Sequence, residues 1–302
     1  MSESVEPVIE RQIGLGPVQE PPRRQWLLLL KRFARNRLAI IGAVIFGGLV
    51  LVSVFAPWIS SYDPFHQDYS MILQKPGNGH ILGTDDLGRD TLARLLYGAR
   101  LSLQASVISV GIAIAIGVPL GLISGYFRGF WDELIIMRLV DAMQAFPSII
   151  LAMAMAAVLG GGFLNAVIAI GIGFFPSFIR ITRAQVLTVR SLEYVQAAEA
   201  IGAGHLRIMF LHVLRNVMGP LLVQTTLTMA AAIIAEAGLS YLGLGARPEE
   251  PSWGSMLKVA QGYLNTAPLL ALWPGLAIFL VVLGFNLLGD GMREVLDPKL
   301  KR

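Results

Sequence analysis

Apolar residues in this chain run in unbroken stretches, not in the alternation of a half-buried strand or the three-four spacing of a soluble helix. Residues 38–58, 101–127, 142–179, 216–235 and 259–289 carry no charged side chain. A helix rises about 1.5 Å per residue and a bilayer's hydrocarbon is about 30 Å thick, so about 20 such residues make one crossing. The run 142–179 is too long for one. Gly160, Gly161 and Gly162 favour a turn within it, which gives one span on each side, and the last run spans from about Leu269. The pattern predicts an all-α integral membrane protein with six transmembrane helices.

The polar residues between the runs set the orientation. With the N-terminus inside, eighteen of the 24 lysines and arginines fall on the inner side, an N-in, C-in arrangement. Composition agrees, with 55% hydrophobic residues, 15% charged and a mean hydropathy of +0.64. The net charge of +4 then follows from topology and requires no nucleic acid. Residues up to Pro22 are rich in Glu, Pro and Gly and are expected to be disordered. Residues 26–33 suit a short helix on the inner surface, and no cleavable secretory signal precedes the first span.

What the chain lacks narrows its chemistry. It has no cysteine, no phosphate-cradling G-x-x-x-x-G-K-[ST], no H-E-x-x-H and no G-x-S-x-G. No catalytic, cofactor-binding or metal-binding residue is expected, and the chain is not expected to hydrolyse ATP. His205 and His212 lie seven apart on one helix face without a carboxylate, so they read as surface residues rather than ligands. Asp141 is predicted to pair with Arg138, three residues earlier, while Glu236 and Asp290 are placed at span ends. With so few ionisable groups inside the membrane, energy for transport would come from elsewhere.

Gly117, Gly121 and Gly125 form a strip that lets another helix approach closely. Pro119, Pro147, Pro220 and Pro274 mark kinks or moving points. Gln224, Thr225, Thr226 and Thr228 make the fifth span its most polar stretch. Gln224, Thr225 and Thr228 are therefore candidates for a water-filled translocation pathway, with interhelical hydrogen bonding the other reading.

Residues 191–216 are polar by contrast. Ser191 is predicted to cap a helix carrying Glu193 in its first turn, which Gly202 and Gly204 end. A second helix begins near His205, with Leu206, Met209, Phe210, Val213 and Leu214 as its apolar stripe. Ala197 and Ala198 would let a partner come close to the backbone. Taken alone, such an amphipathic loop between spans reads more often as an interfacial helix than as a docking device.

The stretch QAAEAIGAGHLRIMFLHVLRN resembles the E-A-A-x-x-x-G signature of permease subunits of bacterial ABC importers, with Gln196 where Glu is usual and Arg215 where Pro is common. HILGTDDLGRDTLARLLYGARLSL, AEAGLSYLGLGARPEEPSWGSML and WPGLAIFLVVLGFNLLGDGMREVLDP look like the outer segments and last helix of the dipeptide, oligopeptide and nickel type. The resemblance implies a type I ABC importer permease fold in the bacterial inner membrane. It divides the chain into a tail (1–36), a first helix with its outer loop (37–97), a core domain (98–290) with a coupling loop at about 181–215, and a C-terminal tail (291–302). Glu193, Gln196, Ala197, Ala198, Ile201, Gly202 and Ala203 would then form the coupling helix and its turn, seated in a cytoplasmic ATPase. Implied partners are a second homologous permease, two ABC ATPase subunits that hold ATP and magnesium, an extracytoplasmic binding protein and membrane lipid. Implied cargo is a dipeptide or oligopeptide, with nickel, glutathione or another small solute as alternatives.

Thr84 or Asp85 is expected to cap a helix in which Asp90 and Arg94 pair; alternatively, Asp85, Arg89 and Trp253, with Pro248 and Pro251, receive the binding protein. Two other classes are weighed. An ion-coupled secondary transporter would need its own coupling groups. An intramembrane aspartyl protease is suggested only by Asp63 after Tyr62 and by the triplet Leu288, Gly289 and Asp290, with Leu287 where that pattern wants Gly.

Overall fold

The computed structural model describes residues 31–77 and 79–296. The tail reading for residues 1–22, most of the surface helix at 26–33 and the end of the C-terminal tail lie outside the described residues. Five helices are long and apolar enough to cross a membrane: α1 (Arg37–Ile59), α2 (Thr91–Tyr126), α5 (Phe163–Arg190), α7 (Leu214–Leu242) and α9 (Leu269–Leu296). Between α2 and α5 lie a wide π-type turn at Trp131–Ile136, α3 (Met137–Gln144) and α4 (Ser148–Val158). The shorter α6 (Glu193–Ala200) and α8 (Trp253–Gln261) complete the set. Among the described residues there is no strand, only isolated bridges at Gly77 to His80 and Thr84 to Asp90.

The glycine strip shows how the spans pack. Gly117 lies against Phe175 and Phe178, Gly121 against Ile179 and Thr182, and Gly125 against Arg183 and Val186, so residue numbers climb together on α2 and α5. Two helices in that register are parallel. Chain leaving α2 at one membrane face must therefore return to the other face before α5 begins. The stretch that does so is the third span, and it is not one rod: its halves are bent by 92° where Pro147 follows Phe146. Proline has no N–H to donate and pushes the residue before it out of the helical region, so the helix breaks here, at a proline expected to mark a kink or a moving point. Six crossings result, five made by single long helices and one by the bent pair.

Charge-free counting misplaced several helix ends, because caps and not hydrocarbon end a helix. α2 starts ten residues before the predicted 101, at Thr91, where the Asp90 carboxylate accepts from the Ala93 N–H at 2.6 Å. Neither Thr84 nor Asp85 is its cap. α7 continues past the predicted Ala235 to Leu242 and ends on left-handed Gly243, with the Leu244 N–H donating to the Leu239 carbonyl. Glu236 is consequently not at the end of its helix. It is wholly buried inside α7 and accepts from the Ser240 hydroxyl at 2.8 Å.

α1 runs antiparallel to α9: Ala39 meets Gly291, Gly42 meets Leu288, and Ile45 meets Gly284. Asn36 caps α1 at the Ala39 N–H, and its amide donates to Glu294 at 2.6 Å. Val44, Leu51, Val158 and Phe279 are among many large apolar side chains left exposed, as a surface facing lipid or another apolar chain requires.

At one end of the bundle, residues 60–90 fold into a lobe over α2 and α8. Arg94, on the first turn of α2, is fully buried, and its guanidinium donates to the carbonyls of Pro64, Pro248, Glu249 and Glu250 at 3.0 to 3.4 Å. The predicted Asp90–Arg94 pair does not form. Asp90 instead meets His80 at 2.8 Å, and Arg94 lies 3.5 Å from Asp85.

Candidate functional site

At the opposite end, α5 turns sharply at Ser191 into α6, and the chain doubles back at Gly202. The turn closes through local geometry. Gly202 adopts φ +81°, its N–H donates to the Glu199 carbonyl, and the Ala203 N–H donates to the Ala198 carbonyl. This paired arrangement satisfies the last carbonyls of α6 and requires the left-handed conformation glycine takes without strain. Ser191 does not cap the helix as expected. Leu192 holds that position, and the Ser191 hydroxyl donates to the Thr188 carbonyl at 2.8 Å. Glu193 is in the first turn, as predicted.

α6 has two faces. Glu193, Gln196, Ala197, Ile201 and Gly202 are exposed, Ile201 by 85%, whereas Val195 and Ala198 are buried and Ala203 half-buried. Ala197 and Ala198 therefore differ: Ala197 lies on the open face of the helix, while Ala198 packs on the chain's own core. Of the large apolar side chains around the elbow, Ile201 is the most exposed.

After His205–Arg207, the chain again takes a π-type turn, Ile208–Val213, before α7. The wider turn rotates the following face, so the predicted stripe does not hold as drawn. Ile208, Met209 and Val213 are buried, while Leu206 and Phe210 remain exposed. His205 and His212 do not share a site. His205 Nδ1 is 3.0 Å from the Tyr126 hydroxyl, and the His212 ring lies 6.2 Å from that of Tyr194. The Tyr194 hydroxyl accepts from Asn216 at 2.9 Å, and burial pushes this phenol above its ordinary range.

Ion pairs also differ from expectation. Asp141 meets Arg180 at 2.7 Å rather than Arg138, because the bent third span lays α3 alongside α5. Asp132, at the start of that span, is buried and takes both Nε and a terminal nitrogen of Arg183 at 2.8 and 2.6 Å, with the Ser124 hydroxyl donating as well.

Between α5, α7 and α9, on the same side as the elbow, an open cavity of about 570 Å³ is lined by residues that include Gln185, Asn216, Gln224 and Arg293. Gln224 reaches it. Thr228 is buried instead, sharing hydrogen bonds with Gln224, and Thr225 donates to the Leu221 carbonyl.

The outer candidates are internal. Asp85, Arg89 and Trp253 are 6%, 2% and 2% exposed. Arg89 Nε sits 2.6 Å from Asp85, and the Trp253 indole donates to the Leu95 carbonyl at 3.0 Å while covering Gly98. They hold the lobe to α2 and α8 and present no docking face. Pro251 is buried too, which leaves Arg247, Pro248 and Glu249 outermost.

Tyr126, Glu199 and Arg190 were not singled out by sequence. An aromatic residue at a span end reads simply as a membrane-boundary residue, and its contacts with Glu199 and His205 cross more than seventy positions.

Residues 117–302 match the family described as binding-protein-dependent transport system inner membrane components, and residues 24–76 match the N-terminal transmembrane domain of oligopeptide transport permease C. The chain is 44% identical over 291 residues to the dipeptide transport system permease protein of Alkalihalophilus pseudofirmus, covering 94% of this chain and 95% of that one. It is 46% identical over 275 residues to the di/tripeptide permease of Pseudomonas aeruginosa, covering 89% and 90%, and 41% identical over 280 residues to the glutathione permease of Pectobacterium atrosepticum, covering 92% and 93%. Among solved structures, an inward-facing form of the MetNI methionine ABC transporter aligns with a TM-score of 0.57 at 19% identity, over 68% of this chain and 96% of that one, a likeness of fold. With six crossings, an elbow at one end and these matches over nearly its whole length, the chain belongs to the binding-protein-dependent inner membrane components, as a multi-pass permease subunit of the dipeptide and oligopeptide type of ABC importer.

Proposed function

We propose that this chain forms half of the path by which short peptides cross the bacterial inner membrane, driven by ATP hydrolysed on separate cytoplasmic ATPase subunits. The observation that carries this reading is the two-faced elbow: α6 anchors itself through Val195 and Ala198 and turns Gln196, Ala197 and the bare Ile201 outward. A second, homologous permease completes the path, and an extracytoplasmic binding protein delivers cargo to the end bearing the 60–90 lobe. The chain itself is a conduit, not an enzyme, and binds no cofactor. Glutathione is a second cargo, favoured by the glutathione permease relatives and by its being a tripeptide. Glu236, the carboxylate buried deepest in a span, is enclosed by protein and does not line the cavity that holds Gln224, which gives an ion-coupled carrier no open route through it.

The whole transporter in proteoliposomes decides between these. Uptake of alanine di- and tripeptides should require ATP inside, on the ATPase side. Ala197→Asp and Ile201→Asp should leave the permease folded in the membrane and strip the ATPase from it on purification. Accumulation without ATP, or normal ATPase retention by both variants, overturns the reading. Ala198→Asp is unsuitable, since a carboxylate there is forced into the core.

A further inference from the structure

Tyr126, the last residue of α2, is 2% exposed, and every leg of the elbow reaches it. Its hydroxyl lies 3.0 Å from His205 Nδ1 and 3.4 Å from Glu199 Oε1. Arg190, the last residue of α5, donates to its carbonyl at 2.6 Å, lies over its ring at 4.9 Å from the centroid, and approaches Glu199 at 3.6 Å. A phenol has one proton. Both contacts of the hydroxyl are satisfied together when Tyr126 donates to Glu199 and accepts from His205 Nδ1–H. The links then run from His205 to Tyr126 to Glu199, with Arg190 closing on the same carboxylate.

The four residues come from different pieces of the molecule: α2, α5, the last turn of α6, and the chain just past the elbow. α5 leads into α6 along the backbone, so a push on α6 reaches α5 directly. α2 has no such backbone connection to the elbow. It meets it through the hydrogen bonds of Tyr126 and through the ring of Phe127, 5.8 Å from that of His205, while farther along the strip Gly117, Gly121 and Gly125 seat α2 against α5. We propose that the Tyr126 hydroxyl is a positioning group that fixes α6 in register with the α2–α5 pair, so that displacement of α6 carries both spans together. This deepens the ATPase-coupling reading and rests on it. The shorter contact of the hydroxyl is the 3.0 Å one to His205 Nδ1, and the 3.4 Å approach to the Glu199 carboxylate adds a longer, weaker one, so the two together orient the group. Coupling of this sort requires that two nucleotide states favour different arrangements and that a connected element transmit the difference.

Tyr126→Phe tests this, because it keeps the ring, its packing and its contact with Arg190 and deletes one oxygen. The natural chain has no cysteine, so spin labels at Leu192→Cys, at the N-cap of α6, and Ile108→Cys on α2, both exposed positions outside the surface assigned to the ATPase, need no further change. In the assembled transporter the distance between them should hold constant when ATP and vanadate are added. In Tyr126→Phe the same addition should shift and broaden it, with yield, melting temperature and ATP hydrolysis unchanged. Trialanine taken up per ATP should fall about fivefold or more. Glu199→Gln, which keeps an acceptor for the hydroxyl, should restore most of what Glu199→Ala loses. A label distance in Tyr126→Phe that ignores ATP overturns the proposal, and so does loss of yield and hydrolysis in parallel, which would make the residue merely structural. If the unsubstituted assembly hydrolyses no ATP, the coupling reading itself has failed and the proposal goes with it.

Discussion

Arg94 and Ala198 show how far a residue's neighbourhood can depart from its appearance in the chain. By sequence, Arg94 is a first-turn cation that could pair with Asp90; in the fold its guanidinium closes four carbonyls, three of them more than 150 residues away. Removing it leaves those carbonyls and Asp85 under-satisfied in a buried place. Arg94→Met is therefore expected to cost about 3 kcal/mol, seen as a clear drop in melting temperature in detergent, whereas Arg100→Met on the exposed side of the same helix should change stability by about 0.5 kcal/mol or less. Equal melting temperatures would remove the role assigned to Arg94. Ala197 and Ala198 make the complementary case: identical in composition and adjacent, they are separated only by which side of one helical turn they occupy, and nothing local distinguishes them.

Elements were more legible than contacts. Five spans follow from apolar length alone, and the strip of Gly117, Gly121 and Gly125 announced a close approach whose partner, α5, only the fold revealed. The same strip makes a sharp prediction. A side chain at Gly121 would collide with the Thr182 Cβ and the Ile179 carbonyl, so Gly121→Leu should cost about 3 kcal/mol by forcing the two helices apart. Gly111, also on α2, has open space where a Cβ would go, so Gly111→Ala should be neutral or stabilise the helix by up to about 1 kcal/mol. Thermal unfolding of the two variants side by side checks this, and similar losses for both would mean that the α2–α5 seam is misplaced. Where sequence reasoning failed at this scale it assumed regular geometry. The predicted stripe presumed 3.6 residues per turn through Ile208–Val213, whereas the kink expected at Pro147 is there, as a bend of 92°.

The whole molecule has two unlike ends, the elbow on one and the 60–90 lobe on the other, and its orientation is open to direct test. In the natural cysteine-free chain, produced without its ATPase subunits, Ile201→Cys should react with an impermeant thiol reagent only after the membrane is opened, and Glu249→Cys should react in intact spheroplasts. The reverse pattern would invert the topology. The parallel register of α2 and α5 demands that the broken third segment cross, so both expectations come from one geometric fact and the bias of basic residues to the elbow side. The chain alone determined the medium, the number of crossings and the presence of a polar elbow, because apolar length and local polarity act locally and add along the sequence. Only tertiary structure decided that Asp85, Arg89 and Trp253 are internal braces, that Ala198 faces the core while Ile201 stands bare, and that Tyr126 gathers the elbow, because burial and hydrogen bonding are set by neighbours that arrive from distant parts of the chain.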